Sequence, residues 1–335
     1  MKRIISLLLA LALSLSLAAC AAPAEKADGG KLQIVTTLFP YYDFARAIAQ
    51  DRADVTLLLS PGREAHSFEP TPLDAVTISE ADVFLYNGGE GEYWVESMLD
   101  AAGEHIAVAS RMMDYVDALN EEYVEGMQGA DGHDHDHEHG SHDDHDHDHE
   151  EDEHDSDEIE YDEHIWTSPK NAVVLCRAVC DAICRADAEN AAFYRANCEN
   201  YCAQLEDLDA RFAALCESAP RRLLIFADRF PMLYFCREYG LDYRAAFHGC
   251  SGDTEPSLAT IKFLIDKVED ENIPVVYTID FGTKKVAAVV SECTGAAIET
   301  LYSMQTVSRA DFDAGETYLT LMERNFEALR KGLNA

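Results

Sequence analysis

The chain has 335 residues, 47% of them hydrophobic, so it exceeds a single average domain and can bury a substantial core. Its formal charge is -37, but residues 131–163 alone carry 18 Asp and Glu and no Lys or Arg, which leaves 45 acids against 26 bases elsewhere. No basic face remains to neutralise phosphates, and this excludes nucleic acid as a partner.

Met1-Lys2-Arg3 supplies a positive start, Ile4 to Leu17 an apolar stretch too short to span as a mature helix, and Leu17-Ala18-Ala19-Cys20 a small-residue cleavage site. Ending in cysteine, that site resembles the bacterial lipobox, which implies removal of residues 1–19 and a lipid on the Cys20 thiol. An ordinary secretory signal with a chance cysteine is the alternative. Residues 20–31 read as a flexible tether. No later segment is long and apolar enough to cross a bilayer.

From Leu32 strands and helices alternate. Gln33–Thr37, Val55–Leu59, Val83–Tyr86 and Ile106–Ala109 read as strands, with helices over Tyr41–Ala49 and Tyr93–Ala102. The turn-rich SPGREAHSFEPTP of residues 60–72 is expected to hold no regular structure, because Pro61-Gly62 and the later prolines break it. Ser168-Pro169 opens a helix with serine as cap and proline in the first turn. A second helical pattern runs from Ala188 to Ser218, about 46 Å at 1.5 Å per residue, long enough to brace two lobes. Strands then recur at Leu223–Ala227, Tyr243–Phe247, Val275–Ile279 and Ala297–Leu301. Helices lie at Met232–Glu238, Leu258–Glu269, Lys284–Cys293 and Thr317–Lys331. The expected fold is α/β: two (β/α) lobes with small parallel sheets linked by a long rigid helix. The lobes are placed at 32–167 and 220–335, with linking helices at 168–219. Ligands of open parallel sheets sit beyond the carboxyl ends of the strands, where both His66 and Asp228 fall.

Nine cysteines follow Cys20. Cys176, Cys180 and Cys184 repeat every four residues, as do Cys198 and Cys202, so they line a helical stripe and read as small hydrophobes and free thiols.

The compositional outlier is the loop at 131–158. Nine of the 13 histidines lie in it: His133, His135, His137, His139, His142, His145, His147, His149 and His154. Neutral imidazole is the commonest protein ligand of first-row metals, and His-x-His on an extended chain puts two rings on one side. A solvated polyanion with incidental histidines is the competing reading. The loop closes in Glu163-His164, just ahead of the helix at Pro169.

His66 in GREAHSFEPTP, the Asn-Gly-Gly-x-Gly-Glu-Tyr-Trp run at 87–94 and His164 in DEHIWTSP, taken in that order with the histidine-rich insertion between them, resemble the metal-binding solute receptors of zinc and manganese ABC importers. The similarity spans about residues 32–333 and includes Tyr239-Gly240-Leu241, Thr254-Glu255-Pro256-Ser257 and Tyr318-Leu-x-x-Met322. It implies one transition-metal ion between the lobes, with His66 and His164 as the first two ligands. The third ligand departs from the family pattern: Arg229 falls near the expected His or Glu, and an arginine cannot ligate. Asp228 is the expected substitute, with His248 as its rival. The family's acidic fourth ligand should fall near Tyr302-Ser303, where no carboxylate stands; Glu255 or a water would close the shell.

Two imidazoles with one or two oxygens suit tetrahedral Zn2+, while further carboxylates would favour Mn2+. The resemblance implies an extracytoplasmic, membrane-anchored monomer that captures Zn2+ and serves an ABC permease and ATPase. An extracellular metal-buffering or adhesive lipoprotein is a second reading. A secreted zinc hydrolase is a third; it lacks His-Glu-x-x-His and has only Glu163 as an obvious base.

Overall fold

A computed structural model describes residues 30–65, 67–103, 106–128, 160–251 and 255–334. The leader, Cys20, His66 and the histidine-rich loop lie outside the described residues.

Two four-stranded sheets organise the fold. The first has strand order β2-β1-β3-β4, from β1 (Leu32–Thr36), β2 (Ala53–Leu57), β3 (Val83–Tyr86) and β4 (Val108–Arg111). The second has order β6-β5-β7-β8, from β5 (Leu223–Phe230), β6 (Asp242–His248), β7 (Val275–Ile279) and β8 (Ala297–Leu301). Parallel pairing sets Ile34 against Val83 and Val83 against Val108 in one sheet, and Ile225 against Val276 and Val276 against Ile298 in the other. Strands this apolar on both faces demand helices on both sides, which the alternating pattern supplies. The α/β two-lobe expectation holds.

In the first lobe the helices are α1 (Phe39–Ala49), α2 (Pro72–Ser79) and α3 (Val95–Ala102). α2 is absent from the sequence reading. Pro72, taken there as a breaker, stands in the first helical turn, where a missing N–H costs nothing. Thr71 and Asp74 close a reciprocal capping box ahead of it.

Two helices follow the insertion, α4 (Pro169–Ala186) and α5 (Ala191–Ser218), the latter entered through a single 3-10 turn at Ala188–Asn190. Ser168 caps α4 by accepting from the Asn171 N–H at 3.3 Å. The 28 residues of α5 give a rod of about 42 Å. It packs on α1 of the first lobe, on α4, and on α6 (Leu233–Tyr239) and α10 (Tyr318–Asn334) of the second. Buried Phe212 on α5 stacks edge-on against Phe235 of α6, their ring centroids 4.9 Å apart. The second lobe is completed by α7 (Leu258–Asp270), α8 (Lys285–Thr294) and α9 (Arg309–Ala314), the last also unforeseen.

β5 runs three residues beyond its expected end and carries a register shift between Phe226 and Arg229. A bulge of this kind bends the strand and re-aims its side chains. It falls where the strand meets the cleft.

Candidate metal site

His164 is the centre of the site and is almost wholly buried. Antiparallel pairing fixes its segment: the Asp162 N–H reaches the Leu119 carbonyl at 2.9 Å, and Glu121 N–H the Glu160 carbonyl at 2.8 Å. The Tyr234 hydroxyl donates to the Asp162 carbonyl at 2.8 Å. From below, the Asn87 amide donates to the Glu163 carbonyl at 3.0 Å, and the Gly91 N–H to its carboxylate at 2.8 Å. These contacts explain the glycine run. Gly89 has φ of +93°, and a Cβ there would strike the Glu163 carboxylate, so only glycine admits both the backbone angle and the approach.

The His164 ring is held by its other nitrogen. Asp162 Oδ1 lies 3.0 Å from Nδ1 and accepts from the His164 backbone N–H at 2.8 Å. A carboxylate on Nδ1 fixes the proton there and leaves Nε2 as the donor atom for a metal, the usual orientation of ligating histidines. Burial pushes the imidazole pKa down, but Asp162, reinforced by Glu121 and Glu163, outweighs it and holds it above the ordinary value.

The ring opens on a cleft whose walls include Glu64, Arg229, Gly249, Ile279, Ser303 and Gln305. In the second lobe these residues lie at or just past the ends of β5, β6, β7 and β8, the edge where parallel sheets bind ligands. Segment 303–307 also touches the first lobe, since Phe39 N–H reaches the Gln305 carbonyl at 3.3 Å and Gly62 N–H the Val307 carbonyl at 2.8 Å. His66 is not described, but Glu64, two residues before it, shares the cleft with His164. Its neighbour Ala65 lines an adjoining cavity with Asn87, Glu92 and Glu163.

Arg229 lines the cleft and pairs with Glu64 at 3.0 Å. Asp228 does not share that orientation. One of its oxygens accepts the Arg229 N–H at 2.9 Å and the other the Ile279 N–H at 3.3 Å, and the carboxylate packs on Gly282. It ties the ends of β5 and β7 together, one N–H on each oxygen, and it is not among the residues that line the cleft beside His164. His248 sits across Gly249 from His164, its Nδ1 3.0 Å from Glu121 Oε1 and its ring 5.1 Å from that of Tyr123. Burial raises the Glu121 carboxyl, but the His248 contact and the His164 field more than offset it, holding it below the ordinary range. Gly249 itself has no room for a side chain, because a Cβ would come within 3.0 Å of His164 Cε1 and 2.9 Å of the Phe230 carbonyl.

The fourth position is backbone-bound. The Ser303 carbonyl accepts from the Trp166 indole at 2.8 Å and its N–H donates to Asp280 at 3.1 Å. Glu255 stands on the surface, 3.5 Å from the Lys285 ammonium and remote from these walls. Asp162, Glu64 and Glu121 were not singled out from sequence. The Asp-x-His and Glu-x-His spacings were the available signals for the first two; Glu121 offered none.

Comparison with known proteins decides the family. Residues 34–332 match the family described as "Zinc-uptake complex component A periplasmic". The chain belongs to this family. It is 31% identical over 308 residues to the "High-affinity zinc uptake system protein ZnuA" of Bacillus subtilis, covering 91% of this chain and 88% of the relative. It is 30% identical to the "Zinc-binding lipoprotein AdcA" of Streptococcus pneumoniae, of which it spans only 61%. Among solved structures, the Zn(II)-bound ZnuA-like domain of that AdcA superposes with a TM-score of 0.71 at 26% identity, over 91% of this chain and the whole of the domain. That domain shares the two-sheet α/β frame with its long helix described above.

Proposed function

We propose that this chain is an extracytoplasmic receptor that captures Zn2+ in the cleft between its lobes and delivers it to an ABC permease with its ATPase. The observation that carries this reading is the buried His164 ring on the wall of the cleft, held through Nδ1 by Asp162. The site's donors are His66, His164 and the Glu64 carboxylate, which lines the same cleft as His164; Asp228 ranks behind Glu64 because it does not line that cleft and ties β5 to β7 instead. A site of two imidazoles and one carboxylate suits Zn2+ over Mn2+, which imidazole holds weakly. A lipid on Cys20 confines the receptor to the membrane surface, and the loop at 131–158 gathers cations by charge and exchanges them through its imidazoles. The relatives reported above are described by zinc uptake and zinc binding.

The test is calorimetric titration with chelator competition. Deleting residues 131–158 removes several weak sites and leaves one tight Zn2+ site. Replacing His66 and His164 with alanine in that trimmed chain then weakens it by at least about 100-fold, the loss of two charge-stabilised donors. Unchanged affinity defeats the reading, and tighter Mn2+ than Zn2+ binding reassigns the cargo.

A further inference from the structure

The family function makes no use of the cysteines on the linking helices. α4 and α5 run as an antiparallel hairpin joined by residues 187–190. Their facing stripes present Cys176 and Cys180 from one helix and Cys198 and Cys202 from the other, all at most 3% exposed. The Sγ atoms of Cys198 and Cys202 are 3.8 Å apart, and those of Cys176, Cys198 and Cys202 all lie within 4.8 Å of one another. The Cys180 thiol, 3.9 Å from that of Cys184, also interacts with Cys198. One sulfur is thus surrounded by three more.

We propose that Cys176, Cys198 and Cys202, with Cys180 as the fourth donor, form a structural thiolate site for one thiophilic d10 cation, in this receptor Zn2+. The argument is geometric. Four thiolates at a metal–sulfur distance of about 2.3 Å place neighbouring sulfurs about 3.8 Å apart around a tetrahedral ion. The Cys198–Cys202 pair already has that separation. The Cys176 sulfur lies within 4.8 Å of both, and Cys180, in contact with Cys184, would turn from it to complete the shell. Thiols have little else to bond to here: Cys198 reaches the Cys176 carbonyl at 3.8 Å and Cys202 the Val173 carbonyl at 3.9 Å, both weak contacts.

Binding releases one proton per thiolate formed, and Arg177, at the rim of the nest, offsets part of the resulting negative charge. With its sulfurs shut off from solvent, the site loads as the hairpin closes during folding and exchanges slowly thereafter. That separates it from the cleft, whose cargo must come and go. It stands independently of the ligand set assigned to the cleft.

The experiment uses the full chain carrying His164→Ala, which weakens the cleft, refolded without oxygen in the presence of Cd2+ and then washed with EDTA. The histidine-rich loop gives up its cadmium to the chelator and contributes no sulfur signal. The expected result is one retained Cd2+ per chain with a thiolate-to-cadmium charge-transfer band and a cadmium NMR shift in the range of sulfur-rich coordination. Cys198→Ala loses both, while Cys216→Ser, a buried thiol outside the nest, keeps them. The NMR shift of the chain with all its cysteines tests the idea even if Cys198→Ala fails to fold. Absence of retained cadmium overturns the proposal. So does a mass deficit in the purified protein that maps to a Cys176–Cys202 or Cys180–Cys198 bridge, which would assign the nest to cross-linking.

Discussion

The two walls of the cleft are built on different terms. On the first-lobe side, the Asn87-Gly88-Gly89-x-Gly91 run lies directly beneath Glu163-His164, and Asp162 fixes the ring: each contact serves to hold an imidazole. On the second-lobe side, the cleft is lined by Arg229 and Ser303, one paired with Glu64 and the other bound through its backbone. The frame is common to both walls, yet the donors we propose are concentrated on one. The difference teaches that a fold can preserve a cleft while shifting its chemistry from one rim to the other.

Substitutions on each wall test that asymmetry. The largest effect is expected beneath His164: Gly89→Ala combines a positive φ with a clash against Glu163 and should cost about 3 kcal/mol in urea unfolding. Unchanged stability would mean the glycine floor does not support the ligand segment.

The same wall contains a pH effect. Burial, opposed by the Gly88 N–H, raises the Glu92 carboxyl from 4.5 to about 7. The folded state therefore holds this proton more tightly than the unfolded chain. Its contribution is complete below pH 4.5 and disappears as pH rises through about 7, a loss of up to about 3 kcal/mol. Glu92→Gln should flatten that slope in the metal-free protein, and parallel melting curves for the two proteins between pH 5 and 8 would contradict it.

On the opposite wall, Arg229→His places an imidazole in the cleft lining. Zn2+ affinity should tighten by about tenfold, or about 1.4 kcal/mol; weaker binding would show that the Arg229–Glu64 pair is itself needed to shape the site. The smallest change is expected at Asp228. Asp228→Asn keeps an oxygen for the neighbouring N–H groups and should alter Zn2+ affinity less than about twofold. A larger loss would return Asp228 to the ligand set.

The frame was readable because apolar strands alternating with amphipathic helices have a period of their own, and the bounds of β3, β7 and β8 came out as expected. Helix α2 was hidden by Pro72, a residue that breaks a helix from within and starts one at its first turn. His164 was readable from its setting between the acidic loop and the Ser168 cap. The second wall was not. The Arg229–Glu64 contact joins residues 165 positions apart, and Asp228 is held by a strand 51 positions away, so no local spacing could announce either one.

The Arg229 guanidinium has one more consequence for a carrier, which must release its cargo as well as grip it. If the Glu64 oxygens turn to the ion, the guanidinium loses its counter-charge and faces a dication of like sign across a few ångströms. At an effective dielectric of about 20, the repulsion between them amounts to several kcal/mol. The arginine then acts as a spring loaded by capture, and each bound ion carries with it part of the push for its own departure.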